Sequence, residues 1–387
     1  MDDKSRQTRV ERMVSLVVGR VLALASKDPA PDVIIVVLPQ DVRDGCRAPR
    51  SRGPKKVFVP PHIKFQRETE AEAEKVGQMM LFDSGAVVEE EDEEHEPLYL
   101  DFHNALKARA MRGRVPIQLI WEPTLKGTRS KEDRATIAWN IVTALLYKAG
   151  NIPWQLREPD PRTCFLGISF FKDGRTNDSR ASLAQAFAQT GEGFVLKGES
   201  ATWDPLERQA HLSESGAERT LKRVLDDYED RFHDRPTRVV VHKTSRYSVG
   251  ELAGFRRALD GVHTHDFLAL GDRGIRFMRL GHEPPLRGTV IELGKRNYLV
   301  YTVGYVPSVR AYPGMRVPIP LEIIEHHGDS DSERVCREVL ALTKLNWNNC
   351  RLATRDPITI AFSKKVASIV REFGSSDPPE HKYRFFM

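Results

Sequence analysis

One run of residues limits the folds open to this chain. Thr163-Cys164-Phe165-Leu166-Gly167-Ile168-Ser169-Phe170-Phe171 is largely apolar, opened by Arg162 and closed by Lys172-Asp173-Gly174. A run of strand length between polar ends predicts a buried strand. Ser169 places a hydroxyl inside it. Two further runs have the same character, Val-Ile-Ile-Val-Val-Leu at 33–38 and Arg-Val-Val-Val-His at 238–242. The run at 33–38 looks buried on both faces, as in a parallel sheet. Helical periodicity is expected over 9–26, 131–149, 217–231, 250–259, 332–344 and 363–373, with further strands at 115–121, 182–188, 193–197, 274–279, 288–293 and 298–304. Helices alternating with buried strands predict an α/β layer architecture.

With 387 residues the chain exceeds one ordinary core. The stiff stretch Glu158-Pro159-Asp160-Pro161 marks a boundary, giving an N-terminal helix and linker at 1–30, a first domain at 31–158 and a second at 159–387. Residues 43–57 are basic and rich in Gly and Pro and are expected to form an exposed loop. Residues 67–79 are expected to be helical, and the acidic run 89–96 to be a solvated surface loop. The four cysteines, Cys46, Cys164, Cys336 and Cys350, show no disulfide or zinc spacing, which fits a reducing, cytoplasmic setting. The apolar stretch 13–25 is interrupted by Ser15, Gly19 and Arg20, so it reads neither as a signal peptide nor as a membrane span. A net charge of +5 is compatible with a nucleic-acid partner without demanding one.

Four polar residues of the first domain form a pattern. His103 and Lys107 stand four apart on one predicted helix face, Gln118 lies on the next strand, and Lys148 ends the long helix. This order resembles the MID domain of the Argonaute proteins, a Rossmann-like α/β unit that holds the 5′ phosphate of a guide strand. Leu146-Tyr147-Lys148-Ala149-Gly150-Asn151-Ile152-Pro153-Trp154 resembles the end of that domain. The second half resembles the RNase H-like PIWI domain, through Phe165-Leu166-Gly167-Ile168-Ser169, Val240-Val241-His242-Lys243-Thr244-Ser245, Tyr312-Pro313-Gly314-Met315, Leu342-Thr343-Lys344-Leu345-Asn346-Trp347-Asn348-Asn349 and Pro357-Ile358-Thr359-Ile360-Ala361-Phe362-Ser363-Lys364. The resemblance extends over roughly residues 12–387.

The departures carry as much information. Active PIWI domains hold two metals with a set of carboxylates, or carboxylates and a histidine. The corresponding first, third and fourth positions here are Ser169, Thr244 and Lys364, while the second aligns with either Glu199 or Glu207. Asp173 lies past the strand in a turn and is not assigned as a ligand. A hydroxyl or an ammonium cannot replace a carboxylate around Mg²⁺, so the resemblance implies a chain without nuclease activity. The rival is a guided endonuclease with an unconventional ligand set.

The pattern is similar to the short prokaryotic Argonautes. That implies a defence sensor carrying a guide, RNA by family preference, that pairs with single-stranded target DNA and activates an APAZ-domain effector protein, a TIR or sirtuin-like NADase. Arg246, Lys295, Arg296 and Lys344 are candidates for the nucleic-acid channel. The apolar ending Tyr383-Arg384-Phe385-Phe386-Met387 is similar to the family's C-terminus. It either leaves a frayed tail or brings the Met387 carboxylate to the phosphate pocket, where a structural Mg²⁺ would be shared with the guide.

Overall fold

The structure, a computed structural model, describes residues 3–46, 101–127, 133–156, 162–172, 179–187, 193–272, 274–278, 285–310, 317–347, 353–373 and 380–387. Most of the basic loop at 43–57, the helix expected over 67–79, the acidic run, the 158–161 linker, Asp173 and the Tyr312–Met315 motif lie outside these residues.

The N-terminal part is built on two parallel strands, β1 (Ile34–Leu38) and β2 (Ile117–Trp121), in register Ile34 with Ile117 through Leu38 with Trp121. Helix α1 (Asp3–Ala25) begins six residues earlier than its periodicity suggests. It presents Val10, Val14, Val18 and Val21 to a core shared with Ile34, Leu38, Phe102 and Leu106. Valines at three- and four-residue spacing make that inward stripe. The run at 33–38 is not buried on both faces: Ile35 and Val37 are 51% and 49% exposed. Packing from α1 and α3 reaches one pleat of a two-stranded sheet, and the alternate side chains point the other way. Around these strands lie α2 (Gln40–Cys46), α3 (Phe102–Ala110), the short α4 (Glu122–Lys126) and α5 (Arg134–Lys148).

The rest of the chain forms a nine-stranded mixed sheet, in the order β6-β5-β4-β3-β7-β8-β11-β10-β9. At its centre β3 (Thr163–Lys172), β7 (Arg238–Lys243) and β8 (Thr264–Gly271) run parallel. Antiparallel strands β4 (Ser179–Phe187), β5 (Gly193–Asp204) and β6 (Gln209–Leu212) extend one side. On the other side stand β11 (Leu321–Gly328), β10 (Asn297–Val300) and β9 (Val290–Gly294). Each residue of β7 is buried, as its apolar run predicts for a central strand.

Helices cover both faces. Leu221, Val224, Leu225 and Tyr228 of α6 (Glu214–Phe232), with Phe255 of α7 (Val249–Arg257), pack on Cys164, Leu166, Ile168, Val239 and Val241. The opposite face, with Phe165 and Val240, receives α8 (Ser332–Leu342) and α9 (Ile358–Val370). Ala108 and Met111 at the end of α3, and Ala144 and Tyr147 of α5, join that second core, so both halves of the chain share it. Alternation along β3 puts Phe165, Gly167 and Ser169 on the α9 side. Gly167 is required there, because any β-carbon would collide with the Thr359 backbone.

Sequence periodicity missed β8 and β11, while the strand expected over 274–279 does not form; residues 274–278 lie outside the ladders. The missed strands carry Asp266, Glu322, Glu325, His326 and His327, which break an apolar pattern. Several of their polar atoms are satisfied by distant partners. Arg238 Nη2 donates to Asp266 at 2.6 Å and to Glu338 at 2.9 Å, and His326 Nε2 lies 2.8 Å from Asp266. Those hydrogen bonds hold the Asp266 carboxyl well below the usual range despite its burial.

A candidate anion pocket and a strand-end site without carboxylates

Asp101 caps α3 by accepting from the Asn104 amide at 3.0 Å, and the helix then carries His103 and Lys107 one turn apart. Asp133 caps α5, which runs to Lys148 and is followed by Gly150 at φ +95°. The structure brings together all four residues singled out in the sequence, in two bonded pairs and a ring. Lys148 is 1% exposed, and its Nζ donates to Gln118 Oε1 at 2.6 Å and to the Ile117 carbonyl at 2.8 Å. Lys107 is 4% exposed, and its Nζ donates to the terminal Met387 oxygen at 2.6 Å. The tail is therefore anchored and not frayed: Tyr383, Phe385, Phe386 and Met387 are all buried.

The electrostatics are those of crowded cations. Burial, with Lys148 and Lys365 next in weight, holds the Lys107 ammonium well below its ordinary value. Burial and then Lys365 bring Lys148 down to about 7. Burial, followed by Lys107 and Lys365, lowers His103 to about 3, so its imidazole is neutral at physiological pH. Lys365 itself is lowered by burial, yet water reaches its side chain.

Sequence reasoning stopped one residue short of Lys365, at Lys364. The usable signal was helical phase. Ile358, Phe362, Val366 and Ile369 form the buried stripe of α9, and Lys365, seven residues after Ile358 and four before Ile369, stands at the edge of that stripe, whereas Lys364 faces away from it.

The donor set suits an anion. Its oxygens available to a cation are one carboxylate, Met387, and one amide oxygen, Gln118, each already bonded to an ammonium. Among the described residues no cluster of three or more His, Cys, Asp or Glu could hold a metal ion. The chain's own side chains here do not make a Mg²⁺ site. A phosphate would have to bring the remaining oxygens.

At the other end, Ser169 and Thr244 are abreast. Ile168 pairs with Lys243 in the parallel ladder, and the Thr244 amide donates to the Ile168 carbonyl at 3.2 Å. Ser169 is 3% exposed and its Oγ has no hydrogen-bond partner. On the same face His242 Nδ1 lies 2.8 Å from Thr359 Oγ1, and burial lowers this imidazole to about 3. Lys364 is exposed and pairs with Asp356 at 2.8 Å. Glu199 pairs with Arg219 at 2.8 Å, and Glu207 lies 3.4 Å from His211. Each side chain at these positions is neutral, cationic or engaged elsewhere.

The four channel candidates do not gather at one point. Arg246 pairs with Glu325 at 2.9 Å. Lys295 and Arg296 form the exposed β9–β10 turn at the sheet edge, where Arg296 donates to the Gly328 carbonyl at 2.7 Å. Lys344 is exposed beyond α8.

No protein-family profile matches the chain. An Argonaute protein of Aquifex aeolicus (strain VF5) is 24% identical over 271 residues, which cover 69% of this chain and 36% of that protein. Among solved structures, Clostridium butyricum Argonaute bound to a guide DNA and a 19-mer target DNA superposes with a TM-score of 0.58 at 17% identity, covering 75% of this chain and 38% of that one. The crystal structure of A. aeolicus Argonaute gives 0.54 at 16%, covering 92% and 50%, and Drosophila Piwi gives 0.52 at 18%, covering 73% and 40%. The chain is Argonaute-like in sequence and in fold. It spans between about a third and a half of the length of these relatives.

Proposed function

We propose that the chain is a guide-loaded nucleic-acid sensor, of the short prokaryotic Argonaute type, that binds target without cutting it. The observation that supports this reading is the convergence of Lys107, Lys148 and Lys365 with Gln118 and a neutral His103. A terminal phosphate monoester carries close to two negative charges and several acceptor oxygens. It relieves the mutual repulsion of these ammonium groups and offers them charge-assisted hydrogen bonds. His103, uncharged, is suited to stack on the first base or to bond its edge.

Loading draws Lys148 towards its charged form, because an anion beside it favours the proton that burial disfavours. Lys107 turns part of its bonding from the Met387 carboxylate to the phosphate. With the guide in place, its phosphate oxygens and the Met387 carboxylate would together hold a Mg²⁺ ion, whose contribution is to neutralise charge between them.

Target recognition rests on base pairing, with Arg246, Lys295, Arg296 and Lys344 contributing backbone affinity. Ser169 and Thr244 supply no anionic oxygen for a second metal site, which supports a sensor over a nuclease. The output then passes to another protein in the cytoplasm; the motif resemblance supports an APAZ-domain effector with TIR or sirtuin-like NADase activity, acting in immunity against invading nucleic acid. The test is binding of a labelled guide with a 5′ phosphate against the same guide with a 5′ hydroxyl. A preference for the phosphate that disappears in Lys107→Ala is expected; equal binding of both guides by the intact chain overturns the pocket.

A further inference from the structure

Helix α5 is unusual for a surface helix. Between Arg134 and Lys148 it carries no charged side chain, and Lys148 points inward. Its outward positions include Ala135, Ala138, Trp139, Val142 and Leu146, with Trp139 54% exposed. A helix that is apolar on every side is normally covered.

What stands beside the exposed indole indicates the cover. Trp154 lies 6.5 Å away, centroid to centroid, tilted by 36°. It is held rigidly: its Nε1 donates to the Lys344 carbonyl at 2.8 Å, and its own carbonyl accepts from Trp347 Nε1 at 3.2 Å. The exposed Lys344 ammonium has no carboxylate partner among the described residues. One fixed ring and one accessible ring thus meet on the side of α5 opposite Lys148, with the exposed Lys344 joined to the fixed ring through its backbone carbonyl.

We propose that Trp139 and Trp154, with Lys344 beside them, form a stacking platform for unpaired bases of a single-stranded nucleic acid, distinct from the 5′-phosphate pocket. Indole faces accept any base, so such a platform is tolerant of sequence, and an adjacent ammonium answers the phosphate that follows each base. Charge complementarity favours this occupant over an apolar protein surface, which offers the neighbouring Lys344 no anion, and places Lys344 on the strand that the platform holds. The inference rests on the nucleic-acid reading of the chain but on none of the pocket residues.

The experiment uses the full chain with a single-stranded oligonucleotide bearing a 5′ hydroxyl and a duplex of equal length, read by anisotropy and by tryptophan quenching. Trp139→Ser should weaken single-strand binding about tenfold and leave duplex binding unchanged. Trp139→Phe should retain most of the affinity, and Lys344→Ala should lower the salt dependence by about one ion. Unchanged single-strand affinity in Trp139→Ser, or equal loss for strand and duplex, overturns the platform. So does a change of oligomeric state in that variant with strand binding intact, which would make the face a protein interface. If the tenfold loss appears while neither chain prefers a 5′ phosphate, the pocket fails and the platform stands.

Discussion

The lysine cluster and the strand-end pair treat buried charge in opposite ways. In the pocket, three lysines crowd together at a cost that burial and repulsion make plain, with Lys148 brought down to about 7. At the strand ends Ser169 and Thr244 are abreast without charge, and the unbonded polar atoms beside them, Ser169 Oγ and His242 Nε2, belong to neutral side chains. On the proposed reading, a guide phosphate neutralises the first cluster, while the second pair of side chains offers no carboxylate to a metal.

That contrast yields graded expectations. The largest effect belongs to Lys107→Ala, which removes a desolvated ammonium: affinity for a 5′-phosphorylated guide should fall by about 100-fold, in line with ~2–5 kcal/mol for a buried charged contact, while hydroxyl guides should bind as before. Next is Ser169→Asp. Placing a carboxylate at a site 3% exposed should lower the thermal midpoint by several degrees, an effect of about 2–4 kcal/mol, without creating Mn²⁺-dependent cleavage, as calorimetry and a nuclease assay would show. Ser169→Ala, by contrast, deletes an oxygen with no partner and should change stability by less than about 1 kcal/mol.

The pH dependence has a definite sign. Lys148 in the folded chain titrates near 7, below its ordinary value of 10.5, so between those values the unfolded chain binds more protons. Stability of the free protein therefore gains from this group as pH rises from 7 to 10.5, and that gain is gone once pH has fallen back to 7. Guide affinity moves the other way, weakening as pH rises above 7 because the phosphate prefers the charged lysine. Isothermal titration in buffers of different ionisation enthalpy should register proton uptake on loading. The smallest expected effect is Gln118→Ala, about fivefold on guide affinity, from the loss of one hydrogen bond that orients Lys148.

Much of the layout was readable because it is local. The valine run of β7 and the amphipathic α6 follow from composition and spacing alone. So does the placement of His103 and Lys107 on one helix, of Gln118 on β2 and of Lys148 at the end of α5. What escaped depends on residues far apart in the chain. β8 and β11 hold their polar residues through Arg238, Glu338 and Ser330, so periodicity could not expose them as buried strands. Lys365 enters the pocket from the last helix, and the Met387 carboxylate reaches Lys107 across 280 residues. The half-exposed pleat of β1 shows the converse, a β-branched run that looks like a core strand but, among the described residues, has one partner strand.

The most direct measurement loads the chain with a 5′-phosphorylated guide and adds an end-labelled complementary strand in Mg²⁺ or Mn²⁺, with retention and length of the label followed together. Retention of full-length target, dependent on the guide phosphate and lost in Lys107→Ala, is the predicted result. Metal-dependent shortening of the target at a fixed position would contradict the account, because it would require ligands that Ser169, Thr244 and Lys364 do not provide.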